Sequence, residues 1–167
     1  DLCRRQRQMC IRDSQKGHED YLNLRRIAIS FFILVVIIEI GFAIIFILGS
    51  EFFPWLYLTN DNSEGVIETV KIASKLLIIV AVFQVFDGIQ VVAQGCLRGI
   101  QDVKIPSLIC FLSYIIFGLP VMVYLGLYTE LKAIGVWIGF LFGLLASSFF
   151  LSFRFFLKSD QLIKLKY

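Results

Sequence analysis

Residues 76–97 read LLIIVAVFQVFDGIQVVAQGCL. At the helical rise of about 1.5 Å per residue, some 20 such residues cross a hydrocarbon core about 30 Å thick. Working outward, the same reading applies to the apolar runs 27–49, 105–127 and 133–157, each bounded by polar or charged connections. The whole chain is 58% hydrophobic and only 17% charged, with a mean hydropathy of +0.81, which excludes an ordinary water-soluble domain. No segment alternates apolar and polar residues over ten positions as an outer-membrane strand does. In lipid only helices and closed barrels satisfy their own backbone groups. The expected fold is therefore an all-α membrane protein with four transmembrane helices over 27–49, 66–97, 105–127 and 133–157. The first run is too long for a signal peptide, carries Glu39 at its centre and has no small-residue cleavage site after it.

The run 76–97 is not uniformly apolar. Gln84, Asp87, Gln90 or Val91, Gln94 and Arg98 follow the 3-and-4 spacing of one helical face. The thirteen Leu, Ile, Val and Phe residues of the run favour insertion by about 0.3 to 0.6 kcal/mol each, about 4 to 8 in sum. Asp87 alone opposes this by about 2.5 to 3.5 kcal/mol, and the glutamines oppose it further. A stripe of this cost is expected to face the bundle interior or a watery cavity. That makes Asp87 a candidate binding residue, with a neutral buried carboxyl held by glutamine amides as the structural alternative. Glu39, between Ile38 and Ile40, poses the same question and is a possible second carboxylate.

Other residues indicate scaffolding. Gly135, Gly139, Gly143 and Ser147 recur every four positions, a small-residue stripe that lets helices approach closely. Pro120 removes a backbone hydrogen bond inside the third run and predicts a kink near Gly118. Cys3, Cys10, Cys96 and Cys110 form no metal spacing and read as incidental, and His18 has no ligand partners near it. No metal site is expected beyond a Na⁺ at Asp87. There is no catalytic motif and no P-loop, so neither enzymatic activity, nor a bound cofactor, nor a nucleic-acid ligand is expected.

Basic residues set the orientation. Lys16, Arg25, Arg26, Arg98, Lys104, Arg154, Lys158, Lys164 and Lys166 fall on one side, against Lys71, Lys75 and Lys132 on the other. Both termini are thus expected in the cytoplasm of a multi-pass protein of the inner (plasma) membrane. Trp55 and Tyr57 fit an aromatic belt at the far interface, and 65–75 reads as an amphipathic lead-in to the second helix. The connection 50–64, with Pro54 and the string NDNS at 60–63, is expected to be a loop. Residues 1–14 crowd Arg4, Arg5, Arg7 and Arg12 without periodicity, and the string RQMCIRDS at 7–14 resembles translated sequencing-adapter DNA. They are expected to form a non-native or disordered tail packed against nothing, the alternative being a basic juxtamembrane tail; 162–167 is expected to be a cytoplasmic tail.

The string FQVFDGIQVVAQGCLRG at 83–99, followed by Asp102, resembles the tenth-helix signature of the MATE (multidrug and toxic compound extrusion) transporters. Ser113-Tyr114, Gly118-Leu119-Pro120 and Gly135-Val136-Trp137-Ile138-Gly139 continue the resemblance in register into the eleventh and twelfth helices, and 15–26 is similar to the connection before the ninth. The resemblance covers 15–161. It implies a twelve-helix protein in two six-helix lobes, of which this chain supplies the last four helices and lacks the N-terminal ones. It also implies that Asp87 takes part in binding the coupling ion or a cationic substrate, with Gln84, Gln90 and Gln94 beside it, and that Arg98 and Asp102 are structural.

Charge chemistry accords with that implication. Low dielectric favours the neutral form of a carboxyl and a nearby cation favours the charged form, so a carboxyl in such a setting exchanges a proton for Na⁺ or for a cationic drug. The expectation is export of organic cations by Na⁺ or H⁺ antiport. Two alternatives stand beside it: a lipid-linked oligosaccharide flippase of the same superfamily, which needs a cation-rich cavity, and a membrane scaffold without a transport cycle. The expected partners are membrane lipid, cationic small molecules and the remaining helices of the same transporter.

Overall fold

The protein is described by a computed structural model covering residues 21–57 and 64–166. The expectations for residues 1–20, including the 1–14 tail, Lys16 and His18, and those for Asn60 to Ser63 lie outside the described residues. In chain order the helices are α1 (Tyr21–Leu48), α2 (Phe52–Tyr57), α3 (Glu64–Gly99), α4 (Lys104–Ser113), a π turn (Tyr114–Gly118), α5 (Leu119–Leu127) and α6 (Ala133–Lys166). Four spans are long and apolar enough to cross a membrane, with α4, the π turn and α5 forming the third. The protein is a multi-pass, all-helical membrane protein.

The four spans are not equivalent. In its most apolar stretch α1 is 6% buried, whereas α6 is 39% buried. α6 is the central element, packing against α3, α4, the π turn and α5, while α1 lies mainly along α3. The outer face of α1 carries Ile33, Ile37, Ile44 and Leu48, all exposed, as a helix solvated by lipid does.

Small residues set the closest approach. Gly135, Gly139 and Gly143 are buried, and a β-carbon on Gly139 would collide with the backbone of Met122. One on Gly143 would come 3.2 Å from Cα of Gly118, so the π turn touches α6 backbone to backbone. Pro120 explains the turn. It offers no N–H and its ring crowds the carbonyl four residues back, and the ladder widens: Leu119 N–H bonds to the Tyr114 carbonyl, five residues away. The expected disruption near Gly118 therefore takes the form of a π turn.

At the basic end, α3 stops in a Schellman closure, with Asp102 N–H bonding the Leu97 carbonyl at 3.0 Å and Gln101 N–H bonding the Arg98 carbonyl at 3.0 Å. Gln101 occupies the left-handed region, φ 62°, a conformation costing a non-glycine residue about 1 kcal/mol or more. The closure tucks Asp102, 7% exposed, against α6, where Arg154 Nε and Nη2 donate to its Oδ2 at 2.8 and 2.7 Å and Lys158 Nζ lies 3.4 Å away. Arg25 of α1 pairs with Asp160 of α6 at the same end. An apolar cluster of Ala28, Ala93, Leu97, Leu151 and Phe155 fills the space between these pairs.

Three boundaries differ from the sequence reading. α1 begins at Tyr21 rather than Ile27, and α6 continues to Lys166 rather than ending at Leu157. Hydropathy marks where a helix meets lipid, not where its hydrogen bonds end. The expected loop 50–64 contains α2, with Pro54 in its first turn, where a missing N–H costs little.

Candidate functional site

Helix geometry divides the polar stripe of α3. At about 100° per residue, Gln84 and Gln90 sit about 120° apart with Asp87 midway between them. The two glutamines consequently meet different helices. Gln84 Nε2 donates to the Glu39 backbone carbonyl of α1 at 3.2 Å. On the other flank, Gln94 Nε2 donates to Cys110 Sγ of α4 at 2.8 Å, Gln90 Nε2 approaches the same sulfur at 3.6 Å, and Ser147 Oγ of α6 reaches it at 3.4 Å. Tyr114 in the π turn lies near Gln90 and within the electrostatic reach of Asp87.

Asp87 itself is exposed. Together with Val91 and Gly95, also exposed, it forms one face of α3, and a β-carbon on Gly95 would meet nothing within 4 Å. The stripe, expected to face the bundle interior or a watery cavity, is divided. Its glutamines are partly buried and hydrogen bonded, while its carboxylate stands on the open face. The physical reason is occupancy: α1 and α6 pack against other sectors of α3, leaving the one that carries Asp87, Val91 and Gly95 exposed. Among the described residues no ion pair involves Asp87, and no group of three or more His, Cys, Asp or Glu side chains comes together.

Glu39 lies at the α1–α3 contact, partly buried. A β-carbon on Gly88 would sit 2.8 Å from Val35 Cγ1, 2.9 Å from Glu39 Cγ and 3.4 Å from Glu39 Oε1. The glycine next to Asp87 thus makes the seat on which the Glu39 side chain rests. Glu39 therefore packs against the residue that follows Asp87 in the chain.

Arg98 is exposed on the same open face as Asp87, and Asp102 is held in the ion-pair cluster at the end of α3. Pro120 and the glycines Gly135, Gly139 and Gly143 lie at the α5–α6 contact and the π turn, away from the glutamines. Cys110 had been read as incidental, yet three side chains converge on its sulfur. A signal was present in Ser107, Cys110, Ser113 and Tyr114, which recur at 3- and 4-residue spacing along α4 and into the π turn. Gln90 Oε1 is buried and accepts no hydrogen bond among the described residues, which leaves an acceptor for a ligand's donor beside the Asp87 face.

The MatE family model matches residues 14–124. The chain is 34% identical over 146 residues to the probable multidrug resistance protein NorM of Xylella fastidiosa, covering 87% of this chain and 30% of that protein. It is 38% identical over 120 residues to the multidrug resistance protein NorM of Burkholderia vietnamiensis, covering 72% of this chain and 26% of that one. With the probable NorM of Rhodopseudomonas palustris the identity is 41% over 102 residues, 61% of this chain and 21% of the relative. The chain therefore spans less than a third of the length of these curated relatives.

Proposed function

The chain belongs to the MatE family, and from that premise we propose that it forms the last four helices of a twelve-helix multidrug exporter in which Asp87 binds the coupling cation and the cationic substrate in alternation. The observation that carries the reading is the setting of Asp87: a carboxylate on an uncovered helix face, flanked on one side by Gln84 and on the other by Gln90 and Gln94. In this reading the open face lines a cavity closed on its far side by the remaining helices of the same transporter. Sites at the interface between repeats have this character.

The chemistry follows from the groups present. The glutamines direct their amide nitrogens to the Glu39 carbonyl and to Cys110, and the acceptor at Gln90 Oε1 and the carboxylate of Asp87 remain to meet a cation. Na⁺, a proton and an organic cation compete for that carboxylate. An inward gradient of the small ion then drives the drug outward, with about 2.3 kcal/mol available per charge per 100 mV. Glu39, seated against Gly88, is the second carboxylate of this reading. The basic end, with Arg25, Arg154 and Lys158, faces the cytoplasm of the inner membrane.

The test is ethidium efflux from energised vesicles bearing the transporter that contains this segment, at matched protein levels. Asp87→Asn keeps shape and hydrogen-bonding capacity but removes the titratable charge. Folding is expected to be unaffected and export to fall to the empty-vector level. Gln94→Ala, on the buried flank, is expected to weaken export while leaving it measurable. Wild-type export by the Asp87→Asn protein would remove Asp87 from the mechanism.

A further inference from the structure

α4, the π turn and α6 enclose between them a cavity of about 530 Å³ that shares no lining residue with the Asp87 face. Its walls are apolar, formed by Leu112, Ile116, Phe117, Phe150, Phe153 and Leu157. At the deep end the rings of Phe117 and Phe150 lie 6.1 Å apart. At the other end, the basic end of the bundle, the lining changes to Arg154, Lys158 and Gln161. From Phe150 to Lys158 is eight residues of helix, about 12 Å, against about 15 Å for half of a hydrocarbon core. The cavity therefore has the depth of one leaflet, with its cations at the level of the headgroups.

The charge at the mouth does not balance. Arg154 and Lys158 both reach the same oxygen, Oδ2 of Asp102, so one carboxylate faces two cations. No other carboxylate pairs with either among the described residues. Asp160, two residues beyond Lys158, points to the opposite side of the helix and is engaged by Arg25. One positive charge is thus left over where lipid phosphates lie, and the guanidinium of Arg154 keeps N–H donors beyond the two spent on Asp102. Apart from Ser113, which is 2% exposed, the walls of Phe, Leu and Ile give water nothing to bond, whereas an acyl chain fills them without cost.

We propose that this groove is a binding site for an anionic phospholipid, with one acyl chain along Ile116, Phe117 and Phe153 and the phosphate at Arg154 and Lys158. A basic pocket between transmembrane helices, at the level of the headgroups, has the chemistry this requires. The site is separate from the one assigned to substrate, and its occupancy joins α4 to α6 across the cavity.

The test uses the transporter carrying this segment, purified into nanodiscs of phosphatidylethanolamine doped with phosphatidylglycerol, with retained lipid counted by native mass spectrometry. The wild type is expected to retain phosphatidylglycerol preferentially. Lys158→Gln leaves Arg154 on Asp102 and is expected to lower that preference about fivefold. Ile116→Trp, at a side chain 55% exposed, fills the groove and is expected to lower retention of both lipids. Glycerophosphoglycerol, the headgroup without chains, is expected not to compete, which separates a lipid from a free phosphate ester. The two variants act through different groups, so either decides the matter if the other fails to fold. Unchanged preference in Lys158→Gln, or unchanged retention in Ile116→Trp, would overturn the proposal. So would a photo-crosslink from Phe153→p-benzoylphenylalanine to another helix of the same transporter, because the groove would then be a seat for protein.

Discussion

Along α6, Gly135, Gly139 and Gly143 are buried where the backbones of α5 and the π turn come into direct contact; along α3, Asp87, Val91 and Gly95 are exposed, and a β-carbon on Gly95 would meet nothing within 4 Å. Both stripes repeat at helical spacing, and both contain glycine. What separates them is the cost of being uncovered. A glycine seam exposes backbone and gains nothing from lipid, and it closes by dispersion contact with another helix. A carboxylate stripe loses several kcal/mol in lipid and nothing in water, so it stays open until a cavity forms around it. Under the proposed function the two halves of the bundle divide the work: the α5–α6 seam holds shape, and the α3 face is the one to meet a ligand.

The largest expected effect lies on the seam. Gly139→Val puts a branched side chain into the Met122 backbone, which is held by its own helix and cannot move as a side chain end does. We expect a loss of about 3 kcal/mol, read as a fall in melting temperature in detergent, with export lost in proportion to folded protein. Retention of the wild-type melting temperature would mean that α5 and α6 are not in contact, and the comparison would break at its first term.

A smaller effect is expected at the junction where the two regions meet. Asp102 links the end of α3 to α6 through Arg154 and Lys158. Asp102→Asn leaves those two cations facing each other one turn apart. Breaking a fully buried pair costs about 3–5 kcal/mol. Arg154 and Lys158 are 26% and 36% exposed, so water relieves part of this and about 2 kcal/mol is expected. In a Lys158→Gln background the cost of Asp102→Asn should shrink, and a double-mutant cycle in thermal melts measures the coupling. Full additivity would show that the lysine does not take part.

The legibility of these regions in the sequence follows from the same physics. Four spans were readable because insertion needs about 20 apolar residues and the chain supplies four such runs. Helix ends were not, because Arg25 and Asp160 extend α1 and α6 beyond the lipid through an ion pair that only the fold brings together. The glycine stripe was readable because its four-residue spacing keeps one face over two or three turns. The glutamine stripe was readable as polar but not as divided, since Gln84 and Gln90 drift about 120° apart and their partners come from α1 and α4. Cys110 was hidden by its residue type, which packs like a small hydrophobe and reveals its role only when Gln94 and Ser147 arrive. The lead-in 65–75 is continuous with α3, and hydropathy alone draws no boundary there.

The smallest expected effect sharpens the comparison most, because it changes a glycine of the open face. Gly95 lies two turns beyond Asp87 on the exposed side of α3, and a β-carbon there meets nothing within 4 Å. Glycine inside a helix costs about 0.5–1 kcal/mol relative to alanine, and leucine is nearly as good a helix former as alanine. Gly95→Leu is therefore expected to leave the melting temperature of the transporter unchanged or slightly raised. If the face lines a cavity, the new side chain narrows it without touching the carboxylate. Export of a bulky cationic dye should then fall several-fold more than export of a small one such as tetramethylammonium, in the same vesicles. A Gly139→Val transporter has no reason to discriminate by size, since its defect is the amount of folded protein. A fall of several degrees in the Gly95→Leu melt would mean that another helix covers this face as closely as α5 covers α6. The two regions would then be of one kind, and Asp87 would have to act from a packed contact rather than from a cavity wall.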